Sequence, residues 1–515
     1  MNLGQFFEHW AIVENPFRGE EARHDAVFAR MTDLAGEVRR RADAGIATHS
    51  DFEKILGDLA RPATSIVFGE KGSGKTAIRM QIADRVARHN LARPDERVLL
   101  IPYDDLNSFL DRLHARSGGK DPLESFRSVR AADHLDAILA IAATRFTDSA
   151  LGGSHDPGVT QITGGRTLRR LDKRVRRDML LLQAFYDTGD GAHDRTLALR
   201  RRLSLPAPTS RRLWGALCVL GWLPPLAMLA WAMLGASEGL VRDGLLYAAA
   251  ALAIVQLGVV FKTLVVDRWR VGRVARRVRR ALRVVGRNEA SWSKSLMHID
   301  RMDLDASTPA RSDSEDARYA MMQRLRRVAH ALGCSGILVI VDRVDEPTLI
   351  NGDTERMRAL IWPMFNNKFL QQEGMGFKLL LPIELRYALF KESSAFFQEA
   401  RLDKQNLIER LSWTGAMLYD LCDARLQACR SEGAEPMALL DLFAEDVSRQ
   451  DLVDALDQMH QPRDAFKFLY RCLSEHCSNV TKDQNAWRIP RLVLESVRKS
   501  ESDRVQQLYR GIRPA

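Results

Sequence analysis

Eight consecutive residues, Gly69-Glu70-Lys71-Gly72-Ser73-Gly74-Lys75-Thr76, constrain this chain more than any other stretch. They fit the pattern G-x-x-x-x-G-K-[ST] at every fixed position. Ser65-Ile66-Val67-Phe68 before them reads as a short buried strand, and Ala77 to Val86 has the apolar spacing of a helix. In strand–loop–helix context, glycines let the backbone approach a ligand closely. Successive N–H groups at the helix N-terminus then cradle phosphates. The expected cradle is Gly69, Glu70, Lys71, Gly72, Ser73, Gly74, Lys75, Thr76 and Ala77. Lys75 would neutralise the β- and γ-phosphates, and the Thr76 hydroxyl would bind Mg²⁺. The expected cofactors are therefore ATP and Mg²⁺.

A second apolar run, Ile337-Leu338-Val339-Ile340-Val341, ends in Asp342. A buried strand that delivers a carboxylate beside such a loop can hold Mg²⁺, so Asp342 joins Thr76 as an expected metal ligand. The segment reads VDRVDEP, with Asp345 and Glu346 close behind. Arg343 follows the strand directly and stays protonated, so it cannot act as a base. Activation of water is expected to fall to Glu346, whose longer side chain can reach back, or to Asp345. Arg97 to Tyr103 reads as another buried strand. The order strand, loop, helix, strand implies a right-handed βαβ unit and a parallel sheet. Phe377 to Leu385 is a further strand, with Glu384 and Arg386 at its tip. Leu411 to Cys429 reads as a lid helix. Pro462-Arg463-Asp464 opens another helix, where Arg463 can reach nucleotide phosphates.

Between the two motifs the chain changes character. Leu213 to Ala236 is 24 residues without a charge, and Leu245 to Phe261 is a second uncharged run that continues to Val266 past Lys262 alone. A spanning helix needs about 20 apolar residues. Two spans joined by Ser237 to Gly244 make a tight hairpin, kinked at Pro224-Pro225. Arg200, Arg201, Arg202, Arg211 and Arg212 precede it, and nine arginines from Arg268 to Arg287 follow it. The positive-inside rule puts both flanks and both termini in the cytoplasm. Val271, Val274, Val278, Leu282 and Val285 recur every three or four residues among those arginines. A helix over 268–287 lying on an anionic leaflet is expected. Much of the net charge of +10 sits there, so the charge argues for lipid ahead of DNA. The six cysteines have no C-x-x-C spacing, which argues against a zinc site or a disulfide framework. MNLGQFFEHW lacks the pattern of a signal peptide.

An ATPase pattern with a hairpin inserted between its two motifs resembles the KAP-type P-loop NTPases of the STAND class. The resemblance covers residues 60–110 and 330–475. VDRVDEP is similar to the family's strand ending in Asp-x-hydrophobic-Asp, and Pro462-Arg463-Asp464 to the lid arginine of KAP and origin-recognition-type AAA+ ATPases. In many relatives an acid directly follows the strand Asp; Arg343 departs from that. The resemblance implies a regulated molecular switch, often in bacterial conflict or anti-phage systems.

The expected class is α/β: a P-loop parallel sheet with a helical lid and an inserted two-helix transmembrane hairpin. Residues 1–63 are a helical leader and 64–112 the first part of the ATPase core. Residues 113–210 are a helical basic insertion, 211–266 the hairpin, and 267–330 basic juxtamembrane helices. Residues 331–405 complete the core, and 406–515 are the lid and C-terminal helices. The leading functional expectation is a bacterial inner-membrane ATPase switch, with homo-oligomerisation an open possibility. The alternative is a membrane-tethered, ATP-dependent DNA-binding protein. A GTPase is disfavoured, because Asn367-Lys368 lacks the Asp of N-K-x-D.

Overall fold

The computed structural model describes residues 1–18, 22–31, 48–118, 121–153, 165–206, 208–234, 239–300, 314–481 and 486–509. Much of the expected leader helix Ala22–Ala44, most of the loop 152–165, most of the loop 302–316 and the connector position Ser237 lie outside these residues. The chain forms two compact units. One comprises Met1–Ala92, Leu338–Arg358 and Asn366–Ala515; the other comprises Arg93–Ile337 and Ala359–Phe365.

The protein is α/β, with a five-stranded sheet in the order β2-β3-β4-β1-β5. The strands are β1 (Ser65–Gly69), β2 (Arg97–Tyr103), β3 (Cys334–Val341), β4 (Met375–Pro382) and β5 (Asn406–Ile408). β1 pairs in parallel with β4, Ser65 opposite Lys378 and Gly69 opposite Pro382, and in parallel with β5 on its other side. Every residue of β1 and β4 is buried. Their near-continuous apolar runs are what a parallel sheet covered on both faces requires. β4 stops at Pro382, which caps the helix Ile383–Leu389. Glu384 therefore stands in the first turn of a helix and not on a strand tip. Arg386, expected beside it, pairs with Glu409 at 2.7 Å.

Lys378 is an exception within β4. It is fully buried, and its Nζ donates to Ala63 O at 2.7 Å and Ser65 Oγ at 3.1 Å. Burial pulls its pKa down to about 7. An unfolded lysine keeps a pKa near roughly 10.4, so between these values the unfolded chain binds more protons than the folded one. Stability should then rise with pH through this window, by at most about 1.4 kcal/mol per pH unit from this group. Denaturant unfolding from pH 6.5 to 10 is expected to show that rise. Lys378→Met should lack this contribution, so the wild-type minus variant difference should rise with pH; equal slopes in both proteins would refute the assignment.

The helices after β5 form the second core of this unit. The expected lid helix begins later than its apolar pattern suggests, at Gly415, and runs to Ala428. Thr414 caps it by accepting from Met417 N, as an N-cap threonine does. Leu411–Trp413 is thereby left as a connector. Phe6, Ile12, Phe17, Val27 and Met31 share one apolar cluster with Leu418, Leu456 and Phe468. The amino-terminal residues are thus part of the lid layer. Arg425 fixes them there: it is buried, bonds Asp25 at 2.6 Å and donates to Pro16 O at 2.7 Å.

The other unit is a helical bundle around Ala131–Leu151, a helix buried on nearly every side. A helix buried on nearly every side belongs in a core, and this one also carries two of the bundle's ion pairs. Asp136 meets Arg318 at 2.6 Å with both side chains buried, and Tyr186 OH donates to Asp136 at 3.2 Å. Arg283 Nε meets Asp133 at 3.0 Å.

Two helices in this unit, Leu213–Leu234 and Leu240–Ala281, are long and apolar enough to cross a membrane by length and composition. Only 11% of the apolar window of each is buried. The first is broken at Gly221–Trp222, just before Pro224-Pro225, where proline removes backbone donors. The second continues through a π-helical stretch, Lys262–Val266, into Asp267–Ala281. The helix expected over 268–287 is thus shorter at its far end and continuous with the apolar helix before it. The helix ends at Ala281, and Ala275, Val278, Ala281, Leu282 and Val285 are buried in the bundle. Arg287 is buried and donates to Ala184 O and Ser295 Oγ, each at 2.6 Å. Periodicity shows that a face is covered, but protein and lipid cover it equally well.

Candidate nucleotide site

The site is built at the carboxyl ends of β1 and β3, where open α/β sheets bind ligands. β1 runs into the glycine-rich loop, and Lys75 opens the helix Lys75–Ala92. Gly72 and Gly74 have φ of 95° and 92°, a region that L side chains avoid. Space is as tight as conformation: a Cβ at Gly72 would lie 3.1 Å from Arg463 Cβ and Cδ. Arg463, in the first turn of Pro462–Asn479, therefore lies directly on the loop. Ser73 is almost wholly buried, and its Oγ has no hydrogen-bond partner among the described residues. Lys71 is exposed, and Ala77 is half-buried in the first turn of the helix.

Lys75 Nζ donates to Gly69 O at 2.7 Å and Glu70 O at 2.9 Å. Burial pulls its pKa down; Asp345, Asp342, Glu384 and Glu70 pull it back up, in that order of strength. Thr76 Oγ1 donates to Asp342 Oδ2 at 3.2 Å. Asp342 is buried, and burial pushes its pKa up against the pull of Arg79 and Lys75. Arg79 Nε lies 3.6 Å from Asp342 Oδ2.

The expected metal ligands, Thr76 and Asp342, are thus brought together from positions 266 residues apart. Among the described residues no group of three or more His, Cys, Asp or Glu could hold a metal. Mg²⁺ does not demand one, since it is usually held by one or two carboxylates, waters and the substrate's phosphates. The donors present fit ATP and Mg²⁺: a hydroxyl on a buried carboxylate, an ammonium held on loop carbonyls, and an orphaned hydroxyl inside the loop.

The two acids expected to activate water are placed differently. Arg343 has φ +62°, a left-handed turn that costs roughly 1 kcal/mol for a non-glycine residue. The turn reverses the chain after β3. It folds Glu346 back into an ion pair with Arg343, leaving its side chain 44% exposed. Asp345 is half-buried and exerts the strongest charge effect on Lys75.

Sequence reasoning did not find the residues that clamp the loop from outside. Trp413 Nε1 donates to Ser73 O at 2.8 Å, and His49 packs edge-on against Trp413 with ring centroids 4.9 Å apart. Glu70 is held by Arg410 at 2.6 Å and by Gln461 Nε2. Arg79 alone carried a signal: three residues after Thr76, it shares that helix face. No protein-family model, curated protein or solved structure matches the chain, so the reading of this site rests on its own residues.

Proposed function

We propose that this chain is a membrane-anchored P-loop ATPase of the KAP type, which uses ATP binding or slow hydrolysis as a conformational or assembly switch. The observation that carries the reading is the 3.2 Å contact of Thr76 with Asp342, beside Lys75 and the two left-handed glycines. Bound Mg²⁺ would supply charge neutralisation at the β- and γ-phosphates. The chain's own residues do the rest. Lys75 exchanges two loop carbonyls for phosphate oxygens. Asp342 and Thr76 would hold the metal between them. Arg463 adds positive charge from the lid, and Asp345 accepts a proton from water at its carboxylate.

The two apolar helices form the proposed membrane hairpin. Gln256 supports it: its Nε2 donates to Leu217 O and Cys218 O, at 2.9 and 3.0 Å, beside the break at Gly221. In hydrocarbon every backbone carbonyl must find a partner within the protein, and this amide serves two of them. The arginine asymmetry of the sequence puts the ATPase and both termini in the cytoplasm of a bacterial inner membrane. The KAP resemblance suggests a defence role.

Purified full-length protein in detergent is expected to bind ATP with Mg²⁺ and to turn it over slowly, with no requirement for DNA. A reporter fused within the connector should lie outside the cytoplasm, and reporters at the termini inside. Absence of nucleotide binding by folded protein would refute the ATPase reading. Turnover that depends on DNA would favour the DNA-binding alternative, and a cytoplasmic connector would refute the hairpin.

A further inference from the structure

The helical bundle holds a second concave, charged site that the ATPase reading does not use. It lies where Lys173–Tyr186 packs against Glu315–Ala331, a cavity of about 470 Å³. Lys173, Arg174, Arg177, Arg324 and Arg327 line it, with two carboxylates, Asp172 and Asp178. Both carboxylates are engaged by the protein itself. Asp172 caps its helix by accepting from Arg174 N at 3.0 Å. Asp178 is buried, accepting from Arg324 at 2.6 Å and from Arg327 at 2.9 and 3.1 Å.

Asp172 supplies the one carboxylate at the amino end of the helix, and the first turn after it holds Lys173 and Arg174 with no acid among them. Five cations against two carboxylates leave the cleft net positive, and a cleft with an excess of one charge concentrates counter-ions. Guanidinium groups match phosphate oxygens in a two-pronged geometry, and Asp178 already fixes two of them in position. The volume suits a small ligand. Arg176, on the same turn, donates to Leu203 O at 2.9 Å. The basic end of the cleft therefore adjoins residues that lead to Thr209, where the first apolar helix begins.

We propose that this cleft binds a ligand carrying clustered phosphates, either a soluble polyphosphate or the headgroup of an anionic lipid. The test uses full-length protein carrying Lys75→Ala, so that the loop site cannot supply the signal. One arm titrates inorganic tripolyphosphate into nanodiscs of neutral phosphatidylcholine. The other measures cardiolipin retained through delipidation in detergent. Lys173→Gln with Arg174→Gln is added; both residues are exposed, and Asp178 keeps its two arginines, so folding should be unchanged by circular dichroism. At least a tenfold loss of tripolyphosphate affinity, or a comparable loss of retained cardiolipin, supports the cleft and names the source. Equal behaviour of parent and variant in both arms overturns it, as does binding of single-stranded DNA with neither phosphate probe bound. Because the loop site is already disabled, failure here would leave the ATPase reading untouched.

Discussion

Lys75→Ala is expected to weaken ATP binding at least a hundredfold, about 2.7 kcal/mol, while membrane insertion is unchanged. The side chain is a half-buried ammonium in the field of Asp345, Asp342, Glu384 and Glu70. In the wild type it offsets part of that negative field. Removing it leaves the carboxylates facing the negative charge of the incoming triphosphate uncompensated, and the phosphates lose a charge-assisted partner. Two loop carbonyls, Gly69 O and Glu70 O, also lose their donor, so the loop itself should become less ordered. Titration of a fluorescent ATP analogue against the detergent-solubilised protein measures the loss. Lys75→Arg is the control: it keeps the charge but is too long for the carbonyl cradle, and should recover little. Wild-type affinity in Lys75→Ala would remove the loop from the nucleotide site.

What could be read from residues alone follows the range of the interactions. Lys75 and Thr76 stand in a local pattern whose geometry is set by its own glycines and by the strand and helix on either side. Asp342 ends an apolar run, and a buried strand followed by an acid needs no distant information to recognise. The clamps on the loop were illegible for the opposite reason. Ser73 meets Trp413 340 residues away, and Glu70 meets Gln461 391 residues away. Neither tryptophan nor glutamine belongs to a motif at those positions. The valines after the second apolar run show a third case. Their spacing correctly implied a covered face at Val278, yet the cover is the bundle, because Arg283 and Arg287 turn inward to Asp133 and Ala184 O. Arginine counts describe charge available; only the fold decides which arginines face solvent or lipid.

The second large effect concerns the acid that takes the proton from water. Sequence length arguments favour Glu346, but the left-handed turn at Arg343 changes the geometry. Glu346 is tied to Arg343 at the surface, and the strongest carboxylate influence on Lys75 comes from Asp345. A base must lie within reach of the water it activates, and loss of a positioned base typically costs 10²- to 10⁴-fold. Asp345→Asn should therefore reduce ATP turnover at least a hundredfold, about 2.7 kcal/mol of barrier, with ATP affinity within a few-fold of wild type. Glu346→Gln breaks an exposed ion pair worth about 0–1 kcal/mol, and should change turnover by less than fivefold. Single-turnover hydrolysis beside equilibrium binding separates the two outcomes. A normal rate in Asp345→Asn with a collapsed rate in Glu346→Gln would mean that Glu346 leaves Arg343 when nucleotide binds, returning the base role to it. If both variants hydrolyse ATP like the wild type, neither acid is the base, and Glu384, the other carboxylate of this chain acting on Lys75 from outside the loop and the metal pair, is the next to test.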